Sequence, residues 1–221
     1  MRQFDTLMRR MRGARLAGDE RGLALIEFAM ALPVLLALGL TGLETANLAL
    51  AHLRVSNIAM LTADSAARVR DSIDESDVSQ IFTGVKTAGK PIAFTTYGRV
   101  ILSSLEPNTA GNGGTSTGQW IRWQRCIGVK NVASSYGAQG KGQNDASLQG
   151  MGTAGNQIAA QPGTAVMVVE VDYTYQPLVS NKIFGPKTIT YLSAFNVRQR
   201  TDQTLHNVNN IASATCDKFS A

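Results

Sequence analysis

Two cysteines, two histidines and six prolines in 221 residues leave little room for several kinds of protein. Two thiols cannot build a disulfide-dense mini-scaffold or a four-cysteine zinc site. His52 and His206 have no HExxH pattern and no cysteine at ligand spacing, which argues against a metal centre. Charged residues make up only 17%, while a hydrophobic content of 44% excludes a wholly disordered chain. The 21 glycines follow no G-X-Y period, so collagen is excluded. Basic charge is also scarce once its position is considered. The formal net charge is +5, but six arginines against three acids give the first 22 residues +3 of it. The +2 remaining over residues 23–221 offers no basic face, so nucleic acid is not expected as a partner.

Hydrophobic run length is what the chain does have. Leu23 to Leu43 reads LALIEFAMALPVLLALGLTGL, with Glu27 its only ionisable side chain. At 1.5 Å per residue such a helix spans roughly 30 Å, the thickness of bilayer hydrocarbon. A buried core helix would usually be shorter and carry a polar stripe. A secretory signal peptide has an h-region of about 7–15 residues, although Ala49-Leu50-Ala51 does resemble a small-residue cleavage site. Pro33 falls mid-span, where it removes a backbone donor and is expected to kink the helix. Arginine concentrated before the span places the N-terminus in the cytoplasm and residues 44–221 outside. A single-pass membrane protein follows. Glu27 is costly in lipid unless it lies shallow enough to be hydrated or finds a counter-charge. Cleavage after Gly22 would make Leu23 a new N-terminus, and its ammonium would stand four residues from that carboxylate.

The string Arg21-Gly22-Leu23-Ala24-Leu25-Ile26-Glu27-Phe28, followed by Pro33 in an apolar run, resembles the processing site of type IV pilin-like precursors. It is most similar to the TadE-like group, the minor pilins or pseudopilins of tight-adherence (Tad, or Flp) pili. A short basic leader ending in glycine, four apolar residues, glutamate and an aromatic residue carry the resemblance. A weaker likeness extends to Trp120-Ile121-Arg122-Trp123-Gln124-Arg125 and the C-terminal strand pair. The resemblance implies a basic leader over 1–22 and cleavage between Gly22 and Leu23 by a prepilin peptidase. It implies assembly contacts at Glu27 and Phe28. Expected partners are the membrane, other Tad/Flp pilins and minor pilins, and an inner-membrane assembly platform. The expected place is the inner membrane, with the outer domain periplasmic and the subunit available for incorporation in the pilus.

Further along, residues 44–83 contain neither glycine nor proline. Leu48, Ala51, Val55, Ile58, Ala59, Thr62, Ala66, Val69 and Ile73 recur at helical spacing. This predicts that the transmembrane helix over 23–43 continues as an amphipathic stalk over 44–75. The domain over 76–221 is expected to be β-rich, with strands at Arg99–Leu105, Gln119–Ile127, Ala165–Tyr175 and Thr188–Arg198. The cleanest alternation sets Met167, Val169, Val171, Tyr173 and Tyr175 on one face. A long helix packed on a small antiparallel sheet is an α+β, pilin-like arrangement. Twelve glycines fall between Pro107 and Gly163, and residues 128–163 read as a mobile Gly-rich loop.

Catalytic patterns are missing. Gly137-Ala138-Gln139-Gly140-Lys141-Gly142 lacks the first glycine of a phosphate-binding loop and the hydroxyl that would hold magnesium. Glu170 and Asp172 share a strand face and read as a solvated pair rather than an acid–base couple. Trp120 and Trp123 fall on opposite faces of a regular strand, with Arg122 and Arg125 placed for cation–π contacts. No nucleophile arrangement is evident, so neither enzyme activity nor a cofactor is expected. Cys126 and Cys216 would both lie in an oxidising compartment and are expected to pair, the alternative being two separate buried thiols. Two readings follow. One is a minor pilin that serves pilus assembly, surface attachment and biofilm formation. The other is a membrane-anchored periplasmic binding or enzymatic domain that keeps its N-terminal anchor.

Overall fold

The computed structural model describes residues 21–220. The leader expected over 1–22 therefore lies outside the described residues except for its last two. The fold is α+β: one long apolar N-terminal helix, then a domain of mixed helix and mainly antiparallel sheet. Two compact units divide between Ala46 and Asn47.

Helix α1 (Arg21–Arg68) runs on both sides of Pro33 and passes through both units. In the first unit residues 22–43 are exposed without interruption, although nearly all are apolar. The hydroxyls of Thr41 and Thr45 donate back to Ala37 O (2.7 Å) and Thr41 O (2.8 Å), so neither asks for water. This stretch is long and apolar enough to cross a membrane.

In the second unit, the expected stripe is buried at Ala51, Val55, Ile58, Ala59, Thr62 and Ala66, joined by Ala63 and Ala67. Small alanines at this spacing let the helix approach the sheet closely. The stalk does not reach residue 75, however. It stops at Arg68, and Asp71 turns the chain with a left-handed φ of 58°. The reason is a competing signal. Asp74 caps a new helix, taking the N–H of Ser76 at 2.9 Å, while Asp77 takes the N–H of Asp74 at 2.9 Å. Between the two helices, β1 (Asp71–Asp74) pairs in parallel with β8 (Arg200–His206). Ile73 is buried as expected, but from a strand.

Helix α2 (Glu75–Gly89) buries Val78, Phe82 and Val85 on one face. A 3-10 turn (Lys90–Ile92) and the short α3 (Phe94–Tyr97) lead into the main sheet. That sheet is antiparallel, in the order β3-β2-β6-β7. Its strands are β2 (Gly98–Pro107), β3 (Gln119–Ile127), β6 (Val166–Tyr175) and β7 (Lys187–Asn196). Val100, Leu102, Met167, Val169, Val171 and Tyr173 face the helices and share one core with α1 and α2. The opposite face carries a second cluster of Leu105, Ile121, Val166 and Val168 with Leu148, Met151 and Ala160.

That second cluster corrects the expectation of a bare mobile loop. Residues 128–163 contain a hairpin, β4 (Met151–Thr153) with β5 (Asn156–Ile158), and bury Leu148, Met151 and Ala160 against the sheet. Side chains replace the missing ladder bonds. The buried Asn108 amide donates to Gly142 O and to Asp145 O (2.8 Å), and its oxygen accepts from Thr115 N (2.9 Å). Gln119 clamps Ala160 through both its donor and its acceptor. A second correction concerns the tryptophans. A bulge at Arg122 pairs Trp120 with Glu106 and Trp123 with Ser104, two positions of β2 that share a face. Both tryptophans are thereby turned to the same side.

Candidate assembly surface

The residues singled out by sequence separate into two groups. Gly22 and Leu23 lie in the first turn of α1, with Glu27, Phe28 and Pro33 following along the exposed helix. Among the described residues, the fold brings none of these five together with another functional group. Cys126 and Cys216, 90 residues apart in sequence, are joined by a disulfide.

Beyond Ala46, α1 carries a second apolar stripe that the core does not use. Leu50, Leu53, Met60 and Leu61 are 50%, 62%, 44% and 59% exposed. Their spacing puts them on a surface facing away from the alanines buried against the sheet. These apolar side chains lie outside the buried core and beyond the exposed 22–43 segment.

Buried charge ties the elements of the second unit to one another. Arg125 donates from Nε to Glu75 at 2.8 Å, tying β3 to the start of α2. Arg122 reaches Glu106 at 3.0 Å and Thr204 Oγ1 at 2.7 Å, tying β3 to β8. Burial raises the Glu106 carboxyl above its usual range, against the opposing pull of Arg122. Burial also lowers Arg200 to about 10, although Glu106 partly compensates. Of the two expected cation–π contacts, Arg122 lies 5.9 Å from the Trp120 ring, while Arg125 serves Glu75 instead.

Sequence reasoning missed Arg99, which organises the C-terminal segment. Its guanidinium donates to Cys216 O at 2.5 Å, Gly128 O at 3.3 Å and Lys218 O at 3.4 Å, and stacks 4.2 Å from Phe219. Beside it, Cys126 N donates to Ala214 O and Gly128 N to Ser220 O. Gly128 has a φ of 112°, and a side chain there would collide with the Gly98 carbonyl, so only glycine fits. An arginine inside an alternating strand was the available signal, since a buried guanidinium must find acceptors.

Candidate chemistry resolves into structure. Gly140 N and Lys141 O bond with Ile121 O and Ile121 N, so the glycine-rich segment docks on the β3 edge. Glu170 accepts from Ser134 Oγ and Ser135 N, and Asp172 pairs with Lys130; these are tied carboxylates, not solvated ones. His52 contacts Tyr191 Oη at 3.2 Å and His206 contacts Asp202 at 2.7 Å. No cluster of three or more metal-ligating side chains exists among the described residues. Set against known protein families, curated proteins and solved structures, the chain has no match.

Proposed function

We propose that the chain is a TadE-like minor pilin or pseudopilin of a tight-adherence pilus system, with a pilin-like fold. One observation carries the reading: α1 is apolar and exposed over residues 22–43 and keeps an exposed apolar stripe at Leu50, Leu53, Met60 and Leu61. A lipid anchor needs the first feature and has no use for the second. A subunit that packs side by side with other pilin helices needs both. The basic leader, Gly22, Glu27 and Phe28 supply the processing signal at the right offset.

In this reading the chain inserts with its N-terminus inside and is cut after Gly22 by a prepilin peptidase. The new Leu23 ammonium and the Glu27 carboxylate then neutralise each other, within a chain or between neighbours, in a medium of low dielectric. The subunit serves assembly, hence attachment and biofilm formation, and performs no catalysis. Mass mapping of the mature N-terminus, with and without the prepilin peptidase, tests it. Maturation to residues 23–221 that depends on the peptidase supports the reading. A chain that stays uncut in the presence of an active peptidase is an anchored domain instead.

A further inference from the structure

The two edges of the main sheet are treated differently. The β3 edge is covered twice, by Gly140 and Lys141 at Ile121 and by Ala214 and Ser220 at Cys126 and Gly128. The β7 edge is bare. Its ten residues pair with β6 in unbroken register, and among the described residues no other segment makes a backbone hydrogen bond to it. From Thr188 to Asn196 it has no charge, proline or bulge, the devices that usually protect an edge from another strand.

What surrounds this edge defines a ligand. Lys182 and Lys187 stand where β7 begins, and neither takes part in an ion pair among the described residues. Leu178 and Ile183 of the same connection are exposed, as is Leu192 in mid-strand. Alongside the strand lies a cleft of about 310 Å³, walled by Thr190, Leu192, Ile101, Tyr136 and Thr153. Its carboxylates, Glu170 and Asp172, are already engaged by Ser134, Ser135 and Lys130, so the cleft suits an apolar side chain.

We propose that the outer edge of β7 is a strand-addition site for an extended segment of a partner protein. That segment is apolar at alternate positions and acidic at the end beside Lys182 and Lys187. Main-chain bonds to the free edge supply affinity, and the cleft and the two lysines supply register and direction. A second copy of this chain fits poorly. Parallel self-pairing sets Lys187 against the partner's Lys187, and antiparallel pairing about Leu192 sets it opposite the partner's Val197, so neither arrangement gives this lysine a counter-charge. Like charges opposed across strands are destabilising. Strand addition here requires neither leader cleavage nor a pilus.

The test uses the full chain in detergent micelles and fluorescent strand peptides of about eight residues, the usual strand length. One peptide alternates valine and threonine behind two glutamates; a second carries two lysines instead; a third repeats the first with a central proline. By fluorescence anisotropy at low salt, the acidic peptide should bind roughly tenfold tighter than the basic one. The proline peptide should not bind. Because both lysines are on the surface, the Lys182→Glu, Lys187→Glu double variant should fold normally and reverse the charge preference. Absence of binding, indifference to peptide charge, or full binding of the proline peptide overturns the proposal. So does self-association that Leu192→Lys abolishes, since the occupant is then a second copy.

Discussion

Gly22 sits in the first turn of α1 with open space where a Cβ would project, so a larger residue there costs the fold nothing. Gly22→Leu should therefore block leader removal while leaving the outer domain unchanged, because a peptidase pocket closing on glycine rejects a branched side chain. N-terminal mass mapping reads the result, and normal maturation would remove the first support of the pilin reading. Glu27 offers the sharper distinction between an anchor and a subunit. Glu27→Leu should insert and be cut as before but lose co-purification with other pilins, and Glu27→Asp should show a partial defect. Retained co-purification in Glu27→Leu would make the glutamate a tolerated surface residue. Asp202 gives a pH test. Its carboxyl is held down to about 2 by the N–H of Thr204, then by His206 and the Thr204 hydroxyl, against an ordinary value of 3.8. A depressed carboxyl contributes stability fully above its unfolded value and loses it as pH falls toward the folded one. Amides of β8 should thus exchange faster as pH drops from about 4 to about 2, after correction for intrinsic rates, with Asp202→Asn flattening that response.

At the scale of elements, α1 shows both how the sequence informs and where it misleads. Its buried stripe was legible because Ala51, Val55, Ile58 and Ala59 repeat at helical spacing with no glycine or proline to interrupt them. The end of the helix was not, because Val69 and Ile73 continue the same periodicity, and only the Asp74–Asp77 box marks a fresh start. Periodicity reports which face is buried, not whether one helix or two elements supply it. The two sides of α1 should respond differently to change. Ala63 is fully buried, so Ala63→Leu should overpack the helix–sheet contact and cost about 1–3 kcal/mol in urea unfolding. Leu53 and Leu61 are exposed, so a Leu53→Asp, Leu61→Asp variant should melt like the parent. It should nevertheless fail to co-purify with partner pilins. Were it to assemble normally, the exposed stripe would not be a packing surface.

Across the whole molecule, strand alternation and the two thiols were readable from sequence, whereas the glycine-rich half of the domain was not. Its order rests on Asn108, Gln119 and Gln124, whose amides bond to distant backbone and leave no periodic trace. The disulfide closes a loop of 90 residues and, with Arg99, holds residues 214–220 along β3. Cys126→Ser with Cys216→Ser should lower stability by about 4–5 kcal/mol on the chain-entropy account. Equilibrium urea unfolding would measure it, and a loss below about 1 kcal/mol would mean that Arg99 and the backbone bonds suffice. The parallel pairing of β1 with β8 also sets a schedule. Asp71 waits for Arg200, about 130 residues downstream, before its ladder can form. At roughly 5–20 residues per second, synthesis of that stretch takes on the order of ten seconds. During that interval the ribbon beside the end of α1 cannot close. The newborn chain thus spends its early life with α1 complete and the domain that follows unfinished, open to whatever holds or cleaves it first.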